Sequence, residues 1–535
     1  MNSASTGPAG TEAAQVEADR KQDLTGHDRM ARNVLANWAG HSVFIIAGFI
    51  TPRMMDRFLG QEALGVWDFT WSLVAYFGLV QMGTTSSVGR YVAKYRAGND
   101  QEGVNRAVSS VFFVFVIMAV LILIIAISVA WMLPSVLGTR LGHYSADARW
   151  MVFLLGAGLA AQVASHAFYG VITGSHRWDI ANLVLAGSHA ITVAVMIATL
   201  VLGGGLVAIT LAVMVGEVLA AVARCVAAYH VDPGLSVRIS HARWSETRQM
   251  LAYGLKMFLY YLADLLEKQA TSILVAGLVG PAALAVFARP QALVRHVHSI
   301  VFKCACIVTP TASAMQAAGQ TDNLKSLLVT RSRLSAFVAI PLVLTLAIMG
   351  GPILRLWMGP HYEQGVLLGV LALGSLLPLT QMPTVLVLAG LNAHGRPGLA
   401  LLLGAVCSAG LTVLALAVFQ WGLMGAALGA IVPALVTQGI YFPLRACRVL
   451  RMGFLEYAWS VFRQPLVCAI PFALCLLVSR WLLADTPLIA LGVGLGGGGA
   501  VLCGMYWRYA LEPSAKARIF EFIASSRRAA TPGRQ

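Results

Sequence analysis

The chain has 535 residues, of which 58% are hydrophobic and only 11% are charged, and its formal net charge is +15. This composition is typical of a polytopic membrane protein and excludes an ordinary soluble domain.

Residues 1–32 form the first predicted element, a polar tail of small residues. They contain neither the apolar region nor the cleavage pattern of a secretory signal, so we expect a disordered tail. Because four Lys and Arg residues precede the first apolar window, we expect the chain to enter the membrane with its N-terminus in the cytoplasm.

About fourteen apolar windows follow, each close to the roughly 20 residues that a membrane-spanning helix needs. They lie near 33–53, 64–84, 107–133, 150–172, 181–202, 205–228, 250–278, 281–309, 334–357, 365–390, 398–418, 422–444, 463–483 and 487–509. The sequence therefore predicts an all-α polytopic membrane protein with about 14 transmembrane helices.

The basic residues of the connecting loops agree with this topology. Of the 38 Lys and Arg residues, 27 fall in the tails and loops predicted to be cytoplasmic, six on the opposite side and five within membrane segments. The excess predicts that both termini are cytoplasmic. Topology and attraction to anionic lipids then explain the positive charge, and we expect no binding of nucleic acid.

An internal repeat appears when residues are compared at a spacing of 220. Gly60, Ala63, Leu64 and Val66 match Gly280, Ala283, Leu284 and Val286. A repeat of six spans keeps both copies in the same orientation, so we predict two parallel six-helix lobes and an extra C-terminal helix pair. The predicted regions are the tail at 1–32, a first lobe at 33–229, a basic cytoplasmic linker at 230–249, a second lobe at 250–450, helices 13 and 14 at 460–511 and a basic cytoplasmic tail at 512–535.

Several passages then resemble a known family. They are GQEALGVWDFTWSLVAYFGLVQMGTTSSVGR at 60–90, YGVITGSHR at 169–177, LAGLNAHGR at 388–396 and WGLMGAA at 421–427. In these passages and in its topology the chain resembles the polysaccharide transporters, or Wzx-type flippases, of the multidrug/oligosaccharidyl-lipid/polysaccharide exporter superfamily.

The resemblance covers about residues 30–510 and implies two lobes around a central cavity in the inner membrane of a bacterium. It also implies alternating access, by which an undecaprenyl-diphosphate-linked oligosaccharide moves from the cytoplasmic to the outer leaflet for exopolysaccharide, capsule or O-antigen synthesis. The partners that follow are this polyprenyl-diphosphate-linked oligosaccharide, membrane lipids and a polysaccharide polymerase or export machinery. We expect a monomer.

The charged residues of the eighth predicted span favour an anionic cargo independently. Arg289, His296 and Lys303 recur every seven residues, which places them within roughly 40° of one another on a helix, with Arg295 to one side. Charges at bilayer depth are retained where they face protein or water and are used. We predict that these four residues bind the diphosphate, since guanidinium and ammonium groups suit phosphate oxygens.

The seventh predicted span carries both signs of charge. Lys256 and Lys268 are further candidates for the diphosphate, and Tyr260 on the same side is a candidate for the sugar. Asp264 stands four residues before Lys268, so the two can instead form a structural pair within the helix.

Polar residues in the first lobe are candidates for binding sugar rings. Asn37 and His41 lie four residues apart on the first predicted span, and Gln162, His166 and Tyr169 share one face of the fourth. Hydrogen bonds between helices are the alternative role for both sets.

Coupling to H+ or Na+ would fall on a carboxylate at membrane depth. Glu267 is the first candidate, and Asp264 and Glu217 are the others. Glu217 lies seven residues before Arg224, and a structural partnership between the two is the preferred interpretation of that spacing.

We expect no metal site and no other cofactor, because no cysteine pair has the spacing of one and no phosphate-binding loop for ATP is present. A polysaccharide polymerase or ligase would require a sizeable outer loop, which is absent, so we expect no enzyme. A peptidoglycan-precursor flippase is the closest alternative. A multidrug antiporter of the superfamily is the other, although residues 34–52 lack the acidic residue that the resemblance would lead one to expect.

Overall fold

The computed structural model describes the backbone of residues 30–81, 85–391, 395–510 and 516. It describes the side chains of the same residues except 30–35, 85–87, 245–247, 249–257, 395–396 and 510. Across these ranges the chain is helical, without a strand, which confirms the predicted all-α fold.

The helices follow one another with short connections. They are α1 Met30–Leu59, α2 Gln61–Ala75, α3 Thr85–Ala97, α4 Gln101–Leu141, α5 Ser145–Ala164, α6 His166–Gly174, α7 Trp178–Val201, α8 Leu206–Val231, α9 Trp244–Leu278, α10 Pro281–Ala305, α11 Val308–Ala317, α12 Thr321–Met358, α13 Gly365–Thr380, α14 Met382–Gly390, α15 Gly395–Val413, α16 Gly422–Ala434, α17 Phe442–Val449, α18 Phe454–Leu482 and α19 Pro487–Met505. Leu435–Tyr441, between α16 and α17, is a π-helical segment.

Eleven helical stretches of the described residues are long and apolar enough to cross a membrane. One of them, Gln101–Ala164, is 64 residues long and comprises both α4 and α5. Neither α1 nor the charged helix α9 is among the eleven. The protein is therefore a multi-pass membrane protein, and the predicted number of fourteen spans is not confirmed by this count.

The chain divides into two compact units. The N-terminal unit comprises Met1–Leu265 with Gly280–Ala282, and the C-terminal unit comprises Leu266–Val279 with Ala283–Gln535. The limits of the lobes, the linker and the two tails given above stay predictions.

The two copies of the sequence repeat begin helices in the same way. Gly60 precedes α2 with φ of +86° and Gly280 precedes α10 with φ of +130°. Both angles lie in the region that glycine tolerates best, because it has no β-carbon. The matched residues Leu64 and Leu284, four positions later, are both fully buried.

Each unit also contains one helix that is interrupted at a buried polar residue. Ser165 separates α5 from α6, and Gln381 separates α13 from α14. Ser165 is 4% exposed and Gln381 is 2% exposed. Buried polar groups of this kind are expected to have hydrogen-bond partners, and these partners organise the candidate sites described next.

The C-terminal helices α18 and α19 belong to the C-terminal unit. Met349 of α12 packs with Phe472 and Leu476 of α18 in a buried cluster, against which Leu491 of α19 also packs. Gly494 leaves room for this contact, because a β-carbon there would meet the Met349 side chain at 2.9 Å.

Candidate functional site

Helix α10 carries the predicted diphosphate ligands on a continuous helical backbone. Arg289 is buried, with 3% of its surface exposed. His296 and Lys303 are half-buried, whereas Arg295 is exposed, and its guanidinium lies 3.4 Å from the amide oxygen of Gln291. The residues seven positions apart therefore do share one side of a helix. Arg289 is buried, and His296 and Lys303 are more exposed.

Helix α9 places its charged residues in different environments. Asp264 and Glu267 are half-buried and Lys268 is exposed. Tyr260 is half-buried, and the side chain of Lys256 lies outside the described residues. The predicted pair of Asp264 with Lys268 stays a prediction.

Glu267 has a partner that the sequence did not indicate. The side-chain amide of Gln438 donates to both carboxylate oxygens of Glu267, at 2.7 and 2.8 Å. Gln438 lies in the π-helical segment after α16, and both residues belong to the C-terminal unit. A neutral donor that contacts both oxygens holds the carboxylate in place without neutralising its charge.

A buried arginine organises the polar residues of the N-terminal unit. The guanidinium of Arg224, on α8, donates to the hydroxyl of Ser165 at 2.8 Å. That hydroxyl in turn donates to the backbone oxygen of Gln162, also at 2.8 Å. The charge of Arg224 acts on the His166 ring and on the Tyr169 hydroxyl, so the break between α5 and α6 is one polar neighbourhood.

Glu217 completes this neighbourhood. Its carboxylate lies 3.5 Å from the guanidinium of Arg224, which agrees with the structural partnership expected from their spacing. The 27 cations assigned above to cytoplasmic tails and loops include Arg224, which instead lies inside α8 and is 3% exposed.

The interrupted helix of the C-terminal unit has a neutral set of partners. The hydroxyl of Tyr457, on α18, donates to the amide oxygen of Gln381 at 2.7 Å. It also lies 2.8 Å from the hydroxyl of Ser332, and Tyr457 is 1% exposed. These three residues form a buried network without a charged member.

The remaining predicted sugar ligands lie on α1. Asn37 is exposed and His41 is half-buried, with the His41 ring centroid 6.5 Å from that of Trp38. The structure therefore brings Gln162, His166 and Tyr169 together around Arg224, while no described contact joins Asn37 to them.

Reasoning from the sequence missed Gln438 and Tyr457, and it paired Arg224 with Glu217 without indicating the contact of Arg224 with Ser165. A lone amide within an apolar span was a weak signal for Gln438. Among the described residues, no group of three or more His, Cys, Asp or Glu side chains could hold a metal ion.

Comparison with known proteins supplies the family context. Residues 30–316 match the family described as polysaccharide biosynthesis protein. The chain is 23% identical to the "Uncharacterized membrane protein EpsK" of Bacillus subtilis (strain 168) over 419 residues, which are 77% of this chain and 82% of EpsK.

Two solved structures show the same fold. The lipid II flippase MurJ in an inward closed conformation has a TM-score of 0.67 and 11% identity, with 89% of this chain and 98% of MurJ covered. A multidrug resistance MATE family transporter of the MOP superfamily, in an inward-facing conformation, has a TM-score of 0.64 and 16% identity, with 77% and 95% covered. The fold is thus that of MOP superfamily transporters.

Proposed function

Because the chain belongs to the polysaccharide biosynthesis protein family, we propose that it is a flippase for a lipid-linked oligosaccharide. The family and the fold are those of transporters rather than enzymes. The cargo is an undecaprenyl-diphosphate-linked repeat unit, which moves from the cytoplasmic to the outer leaflet of the bacterial inner membrane by alternating access. Both chain termini are cytoplasmic in this proposal.

The observation that carries the proposal is a buried cation on a membrane helix of such a protein. Arg289 is almost completely buried, and His296 and Lys303 follow it on the same side of α10. A charge at membrane depth faces protein, water or a bound group, and a diphosphate offers several acceptor oxygens to such a row. Arg295, Lys256 and Lys268 extend the proposed diphosphate site.

The sugar part of the cargo meets neutral polar groups. In the N-terminal unit these are Gln162, His166 and Tyr169, near the break between α5 and α6, with Asn37 and His41 of α1. Tyr260 of α9 is a further candidate. Amide, imidazole and phenol groups donate and accept hydrogen bonds, as hydroxyl-rich sugar rings require.

Glu267 is the carboxylate to which we assign ion coupling. A proton on one carboxylate oxygen, or a Na+ bound to the carboxylate, would compete with at least one of the two hydrogen bonds from Gln438, so the loaded and empty states differ by a defined local contact. Glu217 is less suited, because its carboxylate is already paired with the buried guanidinium of Arg224. Asp264 is the second choice on α9.

Deletion of the protein from its host tests the function directly. Lipid-linked repeat units should accumulate on the cytoplasmic leaflet, where an added sugar-modifying enzyme cannot reach them in intact spheroplasts. Normal export of every surface glycan in the deletion strain would refute the proposal.

The double variant Arg289→Gln/Lys303→Gln tests the site. Export should fall to the level of the deletion strain, while membrane insertion and the thermal unfolding midpoint are retained. A matched control is Arg355→Gln/Lys325→Gln, which also removes two cations, each part of a partly exposed ion pair outside α10. Export in the control should be unchanged. Unchanged export in the Arg289→Gln/Lys303→Gln variant would remove the cationic row from the proposal.

A peptidoglycan-precursor flippase is the second candidate, and the lack of an acidic residue in 34–52 favours it over the antiporter. Its diphosphate cargo would use the same cations on α10. The lipid that accumulates after deletion decides between them: a lipid-linked oligosaccharide repeat unit supports the first proposal and a lipid-linked peptidoglycan precursor the second.

A further inference from the structure

The segment between α8 and α9 is attached along the side of another helix. This strap, residues 232–243, contains one short 3-10 turn at Ile239–His241 and a turn closed by the Leu235 amide and the Asp232 oxygen, but no α-helix. Its backbone is bonded instead to side chains at the start of α4. The Asn105 amide donates to the Gly234 oxygen at 3.2 Å, and its oxygen accepts from the Ser236 amide at 2.8 Å.

Serine side chains continue the attachment towards the end of the strap. The hydroxyl of Ser109 accepts from the Arg238 amide at 3.2 Å, and that of Ser110 accepts from the Arg243 amide at 2.8 Å. At the other end of the strap, the Gln101 amide donates to both oxygens of Asp232, at 3.1 and 3.2 Å. Since Gln101, Asn105 and Ser109 recur every four residues, they form one stripe of α4.

The side of the strap that is turned away from this stripe has an unusual composition. Ile239 is 77% exposed and Trp244, which directly follows the strap, is 71% exposed. The side chains of Arg238, Arg243 and Arg248 are exposed around them. Residues 233–245 contain no Asp or Glu, and Glu246 is the one acidic residue between Ile239 and Arg248, so this surface is apolar and predominantly basic.

The strap also lies at a definite level of the molecule. It follows Val231, the last residue of one candidate span, and its hydrogen bonds go to the first three turns of another, which begins at Gln101. A surface at the ends of two spans is at the edge of the bilayer, where Trp and Arg side chains can bury their apolar parts and direct their polar ends towards the headgroups.

We propose that the exposed side of the strap binds anionic phospholipid headgroups of the surrounding membrane. Arg238, Arg243 and Arg248 contact the phosphates, and Ile239 and Trp244 enter the boundary between headgroups and acyl chains. Because the strap is bonded to α4, this contact holds α4 and α8 at a fixed depth in the bilayer. The proposal does not depend on which lipid the protein transports.

The experiment uses the full chain in nanodiscs, with a solvatochromic fluorescent amino acid introduced at position 239 by amber suppression. Nanodiscs of phosphatidylcholine alone are compared with nanodiscs that contain phosphatidylglycerol. The emission should shift to the blue, and quenching by iodide should fall, as the phosphatidylglycerol fraction rises. For each arginine removed near the surface, binding of anionic lipid should weaken about fivefold, so Arg238→Gln/Arg243→Gln should abolish the response.

Position 202 provides the matched control. Leu202 is also a large apolar residue in a loop between two candidate spans, and it is 86% exposed, but no Lys or Arg lies within residues 178–223. The probe at 202 should not respond to phosphatidylglycerol.

Three results would overturn the proposal. The first is a signal at 239 that is independent of phosphatidylglycerol. The second is a response that persists in the double arginine variant. The third is a probe already shielded in detergent without lipid, which would indicate that another protein chain covers this surface.

Discussion

Each unit has a helix that is interrupted at a buried polar residue, and different chemical groups stabilise the two breaks. In the N-terminal unit, the break at Ser165 is held by the buried guanidinium of Arg224, whose charge is balanced by Glu217. In the C-terminal unit, the break at Gln381 is held by the neutral hydroxyl of Tyr457.

Glu217 and Glu267, one carboxylate from each unit, show the same contrast between a charged and a neutral partner. Glu217 faces a guanidinium, while Glu267 accepts from the amide of Gln438. The described contacts thus give one carboxylate a charged partner and the other an amide partner. In the function proposed above, Glu217 therefore has a structural role and Glu267 carries the ion coupling.

Replacement of the buried Arg224 should lower the stability of the protein more than the other changes predicted here. We expect Arg224→Met to lower the free energy of unfolding by about 3 kcal/mol, because Ser165 and Glu217 then lose a charged partner in a buried place. Thermal unfolding of the purified protein in detergent measures the loss. Arg224→Met/Glu217→Gln should recover part of it. The partly exposed pair of Lys325 with Asp322 is the control, and Lys325→Met should change stability by at most about 1 kcal/mol. An equal loss in the two single variants would contradict the comparison.

A substitution at the neutral break, at Gln381, should lower stability less than a substitution at the ionic break, at Ser165. Tyr457→Phe removes one hydroxyl and leaves buried polar atoms of Gln381 and Ser332 with one contact fewer, so we expect a loss of about 2 kcal/mol. Tyr509→Phe, at a residue that is 55% exposed, should stay within about 0.5 kcal/mol of the parent protein. A larger loss for Tyr457→Phe than for Arg224→Met would reverse the order that the charges suggest.

Substitutions of Glu267 and Glu217 should differ in their effect on ion-driven flipping. Glu267→Gln should lower ion-driven flipping about tenfold, equivalent to about 1.4 kcal/mol, because an amide cannot exchange a proton or attract Na+ as a carboxylate does. Glu217→Gln should lower stability but keep the dependence on the ion gradient. Flipping of a lipid-linked oligosaccharide in vesicles, with and without a pH or Na+ gradient, measures both. Loss of the gradient dependence in Glu217→Gln alone would exchange the two roles.

The smallest expected effect concerns the neutral hydrogen bonds that hold the strap. Asn105→Ala removes two of them and should destabilise residues 234–236 locally by about 1 kcal/mol, seen as faster hydrogen exchange of the Ser236 amide. Asn182→Ala is the control, since the side-chain amide of Asn182 donates to the backbone oxygen of Trp178, one turn away on its own helix. Unchanged exchange at Ser236 in Asn105→Ala would show that the strap does not depend on this side chain.

Much of the fold could be predicted from the sequence, because a chain in lipid has few ways to satisfy its backbone hydrogen bonds. A chain so rich in apolar residues must satisfy its backbone groups within helices, and the glycines at 60 and 280 mark the starts of equivalent helices. Arg289, His296 and Lys303 could also be placed on one side of a helix from their spacing alone. The number of spans was less secure, since charged helices such as α9 do not satisfy a criterion of apolar composition.

The sequence by itself determined the class of protein, the order of its helices and the charged residues worth attention. Only the tertiary structure decided their partners. Arg224 meets Ser165 across 59 positions of sequence, Gln101 meets Asp232 across 131, and Glu267 meets Gln438 across 171. Helical periodicity relates residues three, four or seven apart, so it identifies a face but not the helix that packs against it. The partner on that second helix determines whether a buried charge stabilises the fold or remains available for transport.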